Sequence, residues 1–297
     1  MKNGLFEDFV QKKLLMLVVL TLVGILSSCS LVGRGSNESP PGYNLNEPVI
    51  VKLPTELDEI SGLAFYPPDT SVFAIVDEYG LLYKVYLNRP KYIEKWRFGK
   101  VADYEDLVLL DSNFYVLNSV GIISAFSFLS EDTLAYEEYP LPSIEGNNEF
   151  EILYYDRVTK KLTMICKDCE ADSKAQLSGF TFDPHERKYD EKGFVIDVQQ
   201  IAQLAGEQKI KFKPSAAAIH PVTGELYIIS SINLMLVVAD RNGNAKKIYR
   251  LERGNFKQPE GITFTPEGDL IISNEAAERG VANIMIFRYN NTEQDSK

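Results

Sequence analysis

The sequence is poor in the side chains that most enzymes use for proton transfer. Its 297 residues include two histidines, three cysteines and one tryptophan. A Ser-His-Asp hydrolase needs a histidine beside its nucleophile, but His185 lies in a charged stretch and His220 in a predicted turn. Cys166 and Cys169, with the acids near them, supply too few ligands for a zinc site. The sequence therefore argues against both kinds of site.

Positive charge is also scarce. Lys and Arg number 31 against 42 Asp and Glu, which gives a net charge of −11. Because nucleic-acid binding depends on phosphate neutralisation, we expect no nucleic-acid partner. The basic residues are dispersed along the sequence, which disfavours a site that binds phosphates through clustered Lys and Arg side chains. The acidity fits a divalent cation or a cationic partner, or it serves solubility alone.

Long apolar runs are absent beyond the N-terminal region. The run Leu14–Leu26 follows Lys12 and Lys13 and ends in Leu-Ser-Ser-Cys at Cys29. It is too short for a comfortable membrane span and has the flanks of a signal peptide. Its ending resembles a bacterial lipobox, which implies cleavage before Cys29 and lipidation of that residue. An ordinary secretory signal or an uncleaved anchor remain alternatives.

The lipobox resemblance leads to a prediction of location and domains. Ser30 follows the cysteine, and by resemblance to enterobacterial lipoproteins this predicts a protein anchored in the outer membrane and facing the periplasm. We predict a signal peptide at residues 1–28, a flexible tether at 29–46, a folded domain at 47–290 and a disordered tail at 291–297. The tether is predicted because Gly, Ser, Asn and Pro are frequent there.

The folded region contains five copies of one pattern, in which an apolar strand, a turn and a second apolar strand follow one another. The copies begin 44, 46, 64 and 45 residues apart. A period near 45 with an apolar hairpin in each unit is typical of a four-stranded propeller blade. The first strands begin at Ser61, Glu105, Glu151, Ser215 and Glu260.

These repeats predict an all-β protein, a five-bladed β-propeller. The third unit carries an insertion, with a short helix expected near residues 198–204. The fifth unit lacks an outer strand, and we expect Pro48–Leu53 to supply it, which would close the ring and remove an open sheet edge. An open β-sandwich with irregular repeats is the alternative.

Three carboxylates and two hydroxyls begin the first strands, and a propeller would bring them to one mouth of its channel. Such carboxylates raise one another's pKa values unless a cation compensates them. No Lys or Arg stands at these positions, so we predict calcium, which binds six to eight oxygens. The alternative is that the Glu side chains accept hydrogen bonds from backbone N–H groups of neighbouring blades or face a wet channel. The predicted metal ligands are Ser61, Glu105, Glu151, Ser215 and Glu260, with Asp77 and Glu275 from the ends of second strands.

Cys166 and Cys169 form a Cys-X-X-Cys motif at the end of a strand. In an oxidising compartment a local disulfide is expected, although free thiols fit the motif equally well. A thioredoxin-type site would need a helix N-terminus beside the motif, and the sequence predicts none there.

Five stretches of the chain resemble the SdiA-regulated (YjiK-like) family of bacterial envelope proteins. The similarity covers about residues 47–290 and implies a five-bladed propeller, distantly related to NHL-repeat propellers, with a bound calcium ion. It implies no known reaction. The stretches are Leu57–Phe65, Asp103–Leu107, Phe150–Tyr155, Gln258–Phe264 and Ser273–Glu275.

The sequence thus predicts a lipid-anchored envelope protein with a calcium-binding propeller. It would act as a binding or scaffold module that takes an unknown protein or small molecule at the channel mouth. The alternative is a calcium-dependent hydrolase, because the Pro-Glu-Gly stretch and Asn274-Glu275 loosely resemble gluconolactonase and phosphotriesterase propellers. In such enzymes the metal polarises a carbonyl or phosphoryl oxygen. The sequence shows no general base for this reaction.

Overall fold

The structure is a computed structural model that describes residues 38–130, 133–142, 146–170, 172–190, 193–277 and 280–290. The regular secondary structure within these residues is almost entirely β-strand. The strands are β1 (Val49–Lys52), β2 (Ile60–Tyr66), β3 (Ser71–Val76), β4 (Leu81–Tyr86), β5 (Ile93–Arg97), β6 (Tyr104–Leu110), β7 (Asn113–Asn118), β8 (Ile122–Ser130), β9 (Thr133–Pro140), β10 (Asn148–Asp156), β11 (Lys161–Cys169), β12 (Gln176–Asp183), β13 (Lys188–Tyr189), β14 (Phe194–Asp197), β15 (Ala216–Ile219), β16 (Leu226–Ser230), β17 (Met235–Ala239), β18 (Ala245–Arg250), β19 (Pro259–Phe264), β20 (Leu270–Asn274) and β21 (Asn283–Phe287). Helix α1 spans Val198–Leu204, and single 3-10 turns span Thr55–Leu57 and Pro67–Asp69.

The strands form five antiparallel sheets, which are the blades of a five-bladed propeller, as predicted. Blades 1, 2 and 4 are consecutive meanders, β2–β5, β6–β9 and β15–β18. Blade 5 consists of β19, β20 and β21, and its outermost strand is β1 from the N-terminal side. The pairs Val49–Ile286 and Lys52–Asn283 set this register, so the predicted closure of the ring is confirmed.

Blade 3 carries the predicted insertion. Its inner strands are β10, β11 and β12, and β12 then pairs with both β13 and β14. Helix α1 follows directly, because the Asp197 carboxylate accepts hydrogen bonds from the backbone N–H groups of Gln199 and Gln200 and so caps the helix. The extra residues of the third repeat therefore form the outer edge of blade 3, and the inner strands keep the arrangement of the other blades.

The core consists of five hydrophobic clusters among the described residues, and each lies between two neighbouring blades. Strand β3 shows why. Its residues Val72 and Ala74 pack toward blade 5, whereas Phe73 and Ile75 pack toward blade 2. Since successive strand residues point to opposite faces, an inner strand covered on both faces is apolar throughout. The core is therefore distributed around the ring.

Two glycines let neighbouring first strands approach each other closely. A Cβ at Gly62 would lie 2.4 Å from the backbone nitrogen of Leu107 in blade 2. One at Gly261 would lie 2.5 Å from the carbonyl oxygen of Ser61 in blade 1. Backbone atoms cannot move away as a flexible side chain can, so both positions require glycine. The first strands of blades 1 and 2, and those of blades 5 and 1, therefore lie close together at this end of the channel.

The segment before β1 packs against blades 4 and 5. Tyr43 and Leu45 are buried, and Asn290 donates its backbone N–H to the Gly42 carbonyl. These residues lie within the range 29–46 predicted as a tether, so the packed structure begins before residue 47. Residues 1–28, Cys29 and the 291–297 tail lie outside the described residues. No helix in the described part of the chain is long and apolar enough to cross a membrane.

His220 holds this segment in place. The Tyr43 hydroxyl donates to the Gly268 carbonyl and lies 2.7 Å from His220 Nε2. His220 Nδ1 accepts the backbone N–H groups of Val222 and Thr223, so the ring proton is on Nε2 and points at Tyr43. Burial lowers the pKa of His220 to about 4, which keeps the ring neutral. His220 is therefore a packed structural residue.

Candidate functional site

The first strands begin at one end of the channel, and the second strands end there too. Antiparallel pairing requires this, and the pair Pro259–Asn274 in blade 5 shows it directly. The backbone N–H of Glu275 also donates to the Gln258 carbonyl at 3.0 Å. We call this end the acidic mouth, defined by Ser61, Glu105, Glu151, Ser215 and Glu260. Acids at the ends of second strands, such as Asp77 and Glu275, belong to it.

Four of the five residues that define the acidic mouth sit in breaks of the strand register. In blade 2, Tyr104 pairs with Asn118 but Asp106 pairs with Leu117, which leaves Glu105 as an extra residue. Corresponding shifts occur at Ser61, Glu151 and Glu260. A β-bulge takes a side chain out of the regular alternation and often occurs beside a functional site. The bulge recurs with the repeat and marks the mouth structurally.

Four carboxyl groups at this mouth interact electrostatically. Burial, reinforced by Asp103 and Glu260 among others, raises the pKa of Glu105 to about 8. Burial and the charges of Glu260, Asp77 and Glu105 raise the pKa of Glu275 to about 8. Burial raises the pKa of Glu260 to about 7, and it also raises the pKa of Asp77. Burial, with the neighbouring charges, therefore favours the protonated form of these carboxyl groups near neutral pH.

Gln258 connects the two acids of blade 5. Its side-chain amide donates to the Glu275 carboxylate. The side chains of Gln258 and Ser231 also lower the pKa of Glu260 against the larger effect of burial. Gln258 therefore influences both acids of blade 5.

Glu151 is in a different state from the other carboxylates because it is paired with Lys167. The Lys167 ammonium contacts the Glu151 carboxylate and lies 2.9 Å from that of Glu149. Its charge also lowers the pKa values of Glu105 and Glu260. No Lys or Arg stands at the five first-strand positions, as the sequence shows, but Lys167 reaches the mouth from the second strand β11.

A disulfide lies beside Lys167. Cys166 and Cys169 are bonded to each other and enclose Lys167 and Asp168. Glu149 pairs with Asp168 and Phe150 with Cys166, so Lys167 is the extra residue of this irregular segment. Asp168 is in turn 2.5 Å from the ammonium of Lys213. The cross-linked segment therefore places a lysine at the mouth. In the sequence, the Cys-X-X-Cys motif was the signal that could have pointed to this lysine.

The two serines take part in hydrogen bonds between neighbouring blades. The Ser215 hydroxyl donates to the Pro259 carbonyl at 2.7 Å, linking blade 4 to blade 5. The Ser61 carbonyl accepts from the Ser273 hydroxyl at 3.3 Å, linking blade 1 to blade 5. Both serines are buried. The Ser215 hydroxyl, predicted as a metal ligand, is therefore engaged as a hydrogen-bond donor between blades.

The seven predicted metal ligands do not form one closed coordination shell. Among the described residues, the one trio of His, Cys, Asp or Glu with ligand atoms all within 4.8 Å is Cys166, Cys169 and Asp172, and its sulfurs are bonded to each other. Two buried oxygens at the mouth, Oδ1 of Asp77 and Oδ1 of Asn274, have no hydrogen-bond partner in the described structure. Oxygen donors without partners fit a hard cation held by a looser group of acids.

The fold and this mouth define the class of the protein, a five-bladed β-propeller with an acidic cluster over one end of its channel. A model of the SdiA-regulated family matches residues 44–278, and the chain belongs to that family. The predicted family is thereby confirmed. No curated protein sequence matches the chain.

Solved propeller structures share the fold at very low sequence identity. The glutaminyl cyclase of Myxococcus xanthus is 14% identical with a TM-score of 0.52, over 82% of this chain and 97% of that one. A luciferin-regenerating enzyme is 9% identical with a TM-score of 0.50, over 82% and 96%. A glucose dehydrogenase is 11% identical with a TM-score of 0.50, over 80% and 99%. At such identities the likeness concerns the fold alone.

Proposed function

We propose that the protein is an envelope-anchored binding module whose acidic mouth takes a divalent cation, with calcium as the expected ion. The observation that carries this proposal is the cluster of Glu105, Glu260, Glu275 and Asp77, whose carboxyl groups all have raised pKa values. A divalent cation would relieve their repulsion, and calcium prefers oxygen ligands. The unpartnered Oδ1 of Asp77 supports the same assignment.

The ion would be held by acids from three blades. Asp77 comes from blade 1, Glu105 from blade 2, and Glu260 and Glu275 from blade 5. Glu151 would remain with Lys167. Such an ion would join the first and last blades at the mouth, and any coordination position filled by water could accept an oxygen of a partner. The module would then bind a protein or small molecule through the ion.

Calcium binding can be tested by calorimetry and by thermal melts of the protein with calcium or with a chelator. Calcium at 100 times its dissociation constant stabilises a folded protein by about 2.7 kcal/mol. For a domain of this size that should raise the melting temperature by about 5–10 °C. Glu260→Gln should reduce the effect strongly, whereas Glu267→Gln, an exposed change in a turn at the opposite end, should leave it intact. No binding heat and an unchanged melt on chelation would contradict the proposal.

The anchor is the second part of the proposal. Segment 38–46 contacts Gly268 and His220, which lie in turns at the end of the propeller opposite the acidic mouth. A lipid on Cys29 would be nine residues from Glu38, a span of at most about 30 Å. The acidic mouth would then face away from the membrane and be accessible to partners. Cys29→Ser should move the protein from the membrane fraction to the soluble fraction, and unchanged fractionation would contradict anchoring at this residue.

The hydrolase alternative is not proposed, because no described feature favours it. His220 is buried and bonded to Tyr43 at the opposite end of the channel. At the acidic mouth, the described acids lie around Lys167, which contacts Glu151, and Gln258, which donates to Glu275. Binding, rather than chemistry, is what this arrangement supports.

A further inference from the structure

We propose that the other end of the channel is a separate binding site for a small amphipathic anion. The ligand would place an apolar body inside the channel and one anionic head group, such as a carboxylate, at its rim. We call this end the apolar mouth and define it by Phe65, Leu110, Tyr155, Ile219 and Phe264. The proposal does not depend on calcium at the acidic mouth.

A cavity of about 820 Å³ opens at the apolar mouth. This volume is within the range of about 300–1,000 Å³ that is typical of small-molecule sites. All five first strands contribute to its wall, and the side chains of Phe65, Tyr155 and Phe264 are only partly buried there. Each of these side chains packs on one side against a hydrophobic cluster, and covering its exposed part with a ligand is favourable.

The two ends of the channel differ because of residue size and strand separation. Gly62 and Gly261 allow the first strands to approach each other closely near the acidic mouth. Toward the apolar mouth the same strands carry larger residues and leave the cavity between them. Asp106 lies at the inner end of the cavity, and its carboxylate accepts the N–H groups of Leu107 at 2.7 Å and Leu153 at 2.8 Å. Both oxygens are thus occupied by hydrogen bonds within the propeller.

Charge at the rim selects the head group. Arg157 and Lys160 lie in the turn between β10 and β11, are exposed, and have no ion-pair partner among the described residues. Arg241 also lines the cavity but is paired with Asp156. Asp111 is the other acid that lines the rim, and Glu267, in the turn next to the lining residue Pro266, is exposed and does not line the cavity. The residues that line the rim therefore carry one positive charge in excess, on a chain whose net charge is −11, which is complementary to an anion and opposite in sign to the acidic mouth.

The proposal can be tested with the fluorescent anion 1-anilinonaphthalene-8-sulfonate, which combines an aromatic body with a sulfonate. Titrated into the folded full-length protein, it should show saturable fluorescence, and dodecanoate should displace it. Dodecanol, which is neutral, and dodecyltrimethylammonium, which is cationic, should displace it at least about tenfold less well. A near-ultraviolet circular dichroism spectrum confirms that the protein is native. Absent saturation, or stronger displacement by the cationic chain, would overturn the proposal.

Variants locate the site. Arg157→Gln with Lys160→Gln should weaken binding of the probe by about tenfold, since exposed charge pairs contribute a few-fold each. Lys209→Gln, an exposed lysine away from the cavity, should have no effect. Ala218→Trp should fill the channel and abolish binding of the probe. If the Ala218→Trp protein does not fold, the binding measured for the double variant at Arg157 and Lys160 tests the site. Equal binding by the double variant and the Lys209→Gln control would refute the site.

Glu260→Gln separates this proposal from the one for the acidic mouth. It should impair calcium binding and leave probe binding unchanged, because Glu260 lies at the opposite end of the channel. If Glu260→Gln weakened probe binding as much as the double variant did, the probe would not be reporting the apolar mouth and the proposal would fail.

Discussion

Replacing Lys167 with methionine should destabilise the protein by a measurable amount. The ammonium of Lys167 contacts the carboxylates of Glu149 and Glu151, and the side chains of Lys167 and Glu151 are 20% and 10% exposed. Removing one partner of a fully buried ion pair costs about 3–5 kcal/mol, because the other charge stays buried without compensation. Partial exposure screens this pair, so we expect a loss of about 2–3 kcal/mol. The melting temperature should fall by about 5–10 °C.

A double variant tests the reasoning. Adding Glu151→Gln to Lys167→Met removes the orphaned charge and should restore most of the lost stability, as measured by urea unfolding. Lys95→Met is the matched control, since Lys95 pairs with Glu56 on the surface and is 54% exposed. It should cost less than about 1 kcal/mol. If the double variant were no more stable than Lys167→Met, the pair would not be the cause of the loss.

Three further outcomes are expected. Without divalent cations, stability should fall as pH rises from about 5 to about 8, because the raised pKa of Glu105, about 8, lets the folded state keep a proton that the unfolded state releases. Glu105→Gln should flatten this dependence in thermal melts, and a flat wild-type profile would count against the shift. Gly62→Ala should lower the free energy of unfolding by about 3 kcal/mol or more, because the added Cβ clashes with the backbone of blade 2. Gly254→Ala, which has open space around it, should be tolerated, and soluble yield and thermal melts would show the difference. Tyr43→Phe should lose about 1–3 kcal/mol in urea unfolding, because it leaves buried partners unsatisfied, whereas Tyr92→Phe at an exposed position should be neutral.

The five-bladed fold follows from the sequence because its units repeat. Each blade needs an apolar hairpin near the axis, and that hairpin recurs with a period that insertions disturb only once. The closing strand was predictable because the last unit lacked a partner for β21 and an unassigned apolar strand preceded the first unit. The segment around Tyr43 was harder to predict. Its composition is that of a tether, and only an aromatic residue within it hinted that part of it packs.

The site was predictable in position but not in chemistry. The repeat places Glu105, Glu151 and Glu260 at equivalent positions, and the structure keeps them at one end of the channel. What the repeat does not contain is the partner of each carboxylate, since Lys167 belongs to a cross-linked irregular segment found in one blade only. The electrostatic state of a carboxylate depends on such neighbours as much as on its own position.

The pairing of β1 with β21 has a consequence for how the chain is made. Blades 1 to 4 are continuous in sequence, so each can assemble from its own residues, whereas blade 5 needs strands from both ends of the folded domain. Such long-range pairing is late and slow in folding. Synthesis must therefore pass Phe287 before the ring can shut. A chain that ended earlier would keep most of its blades but would lack the β1–β21 pair that closes the ring. Without this pair, Glu260 and Glu275 would not be held over the channel.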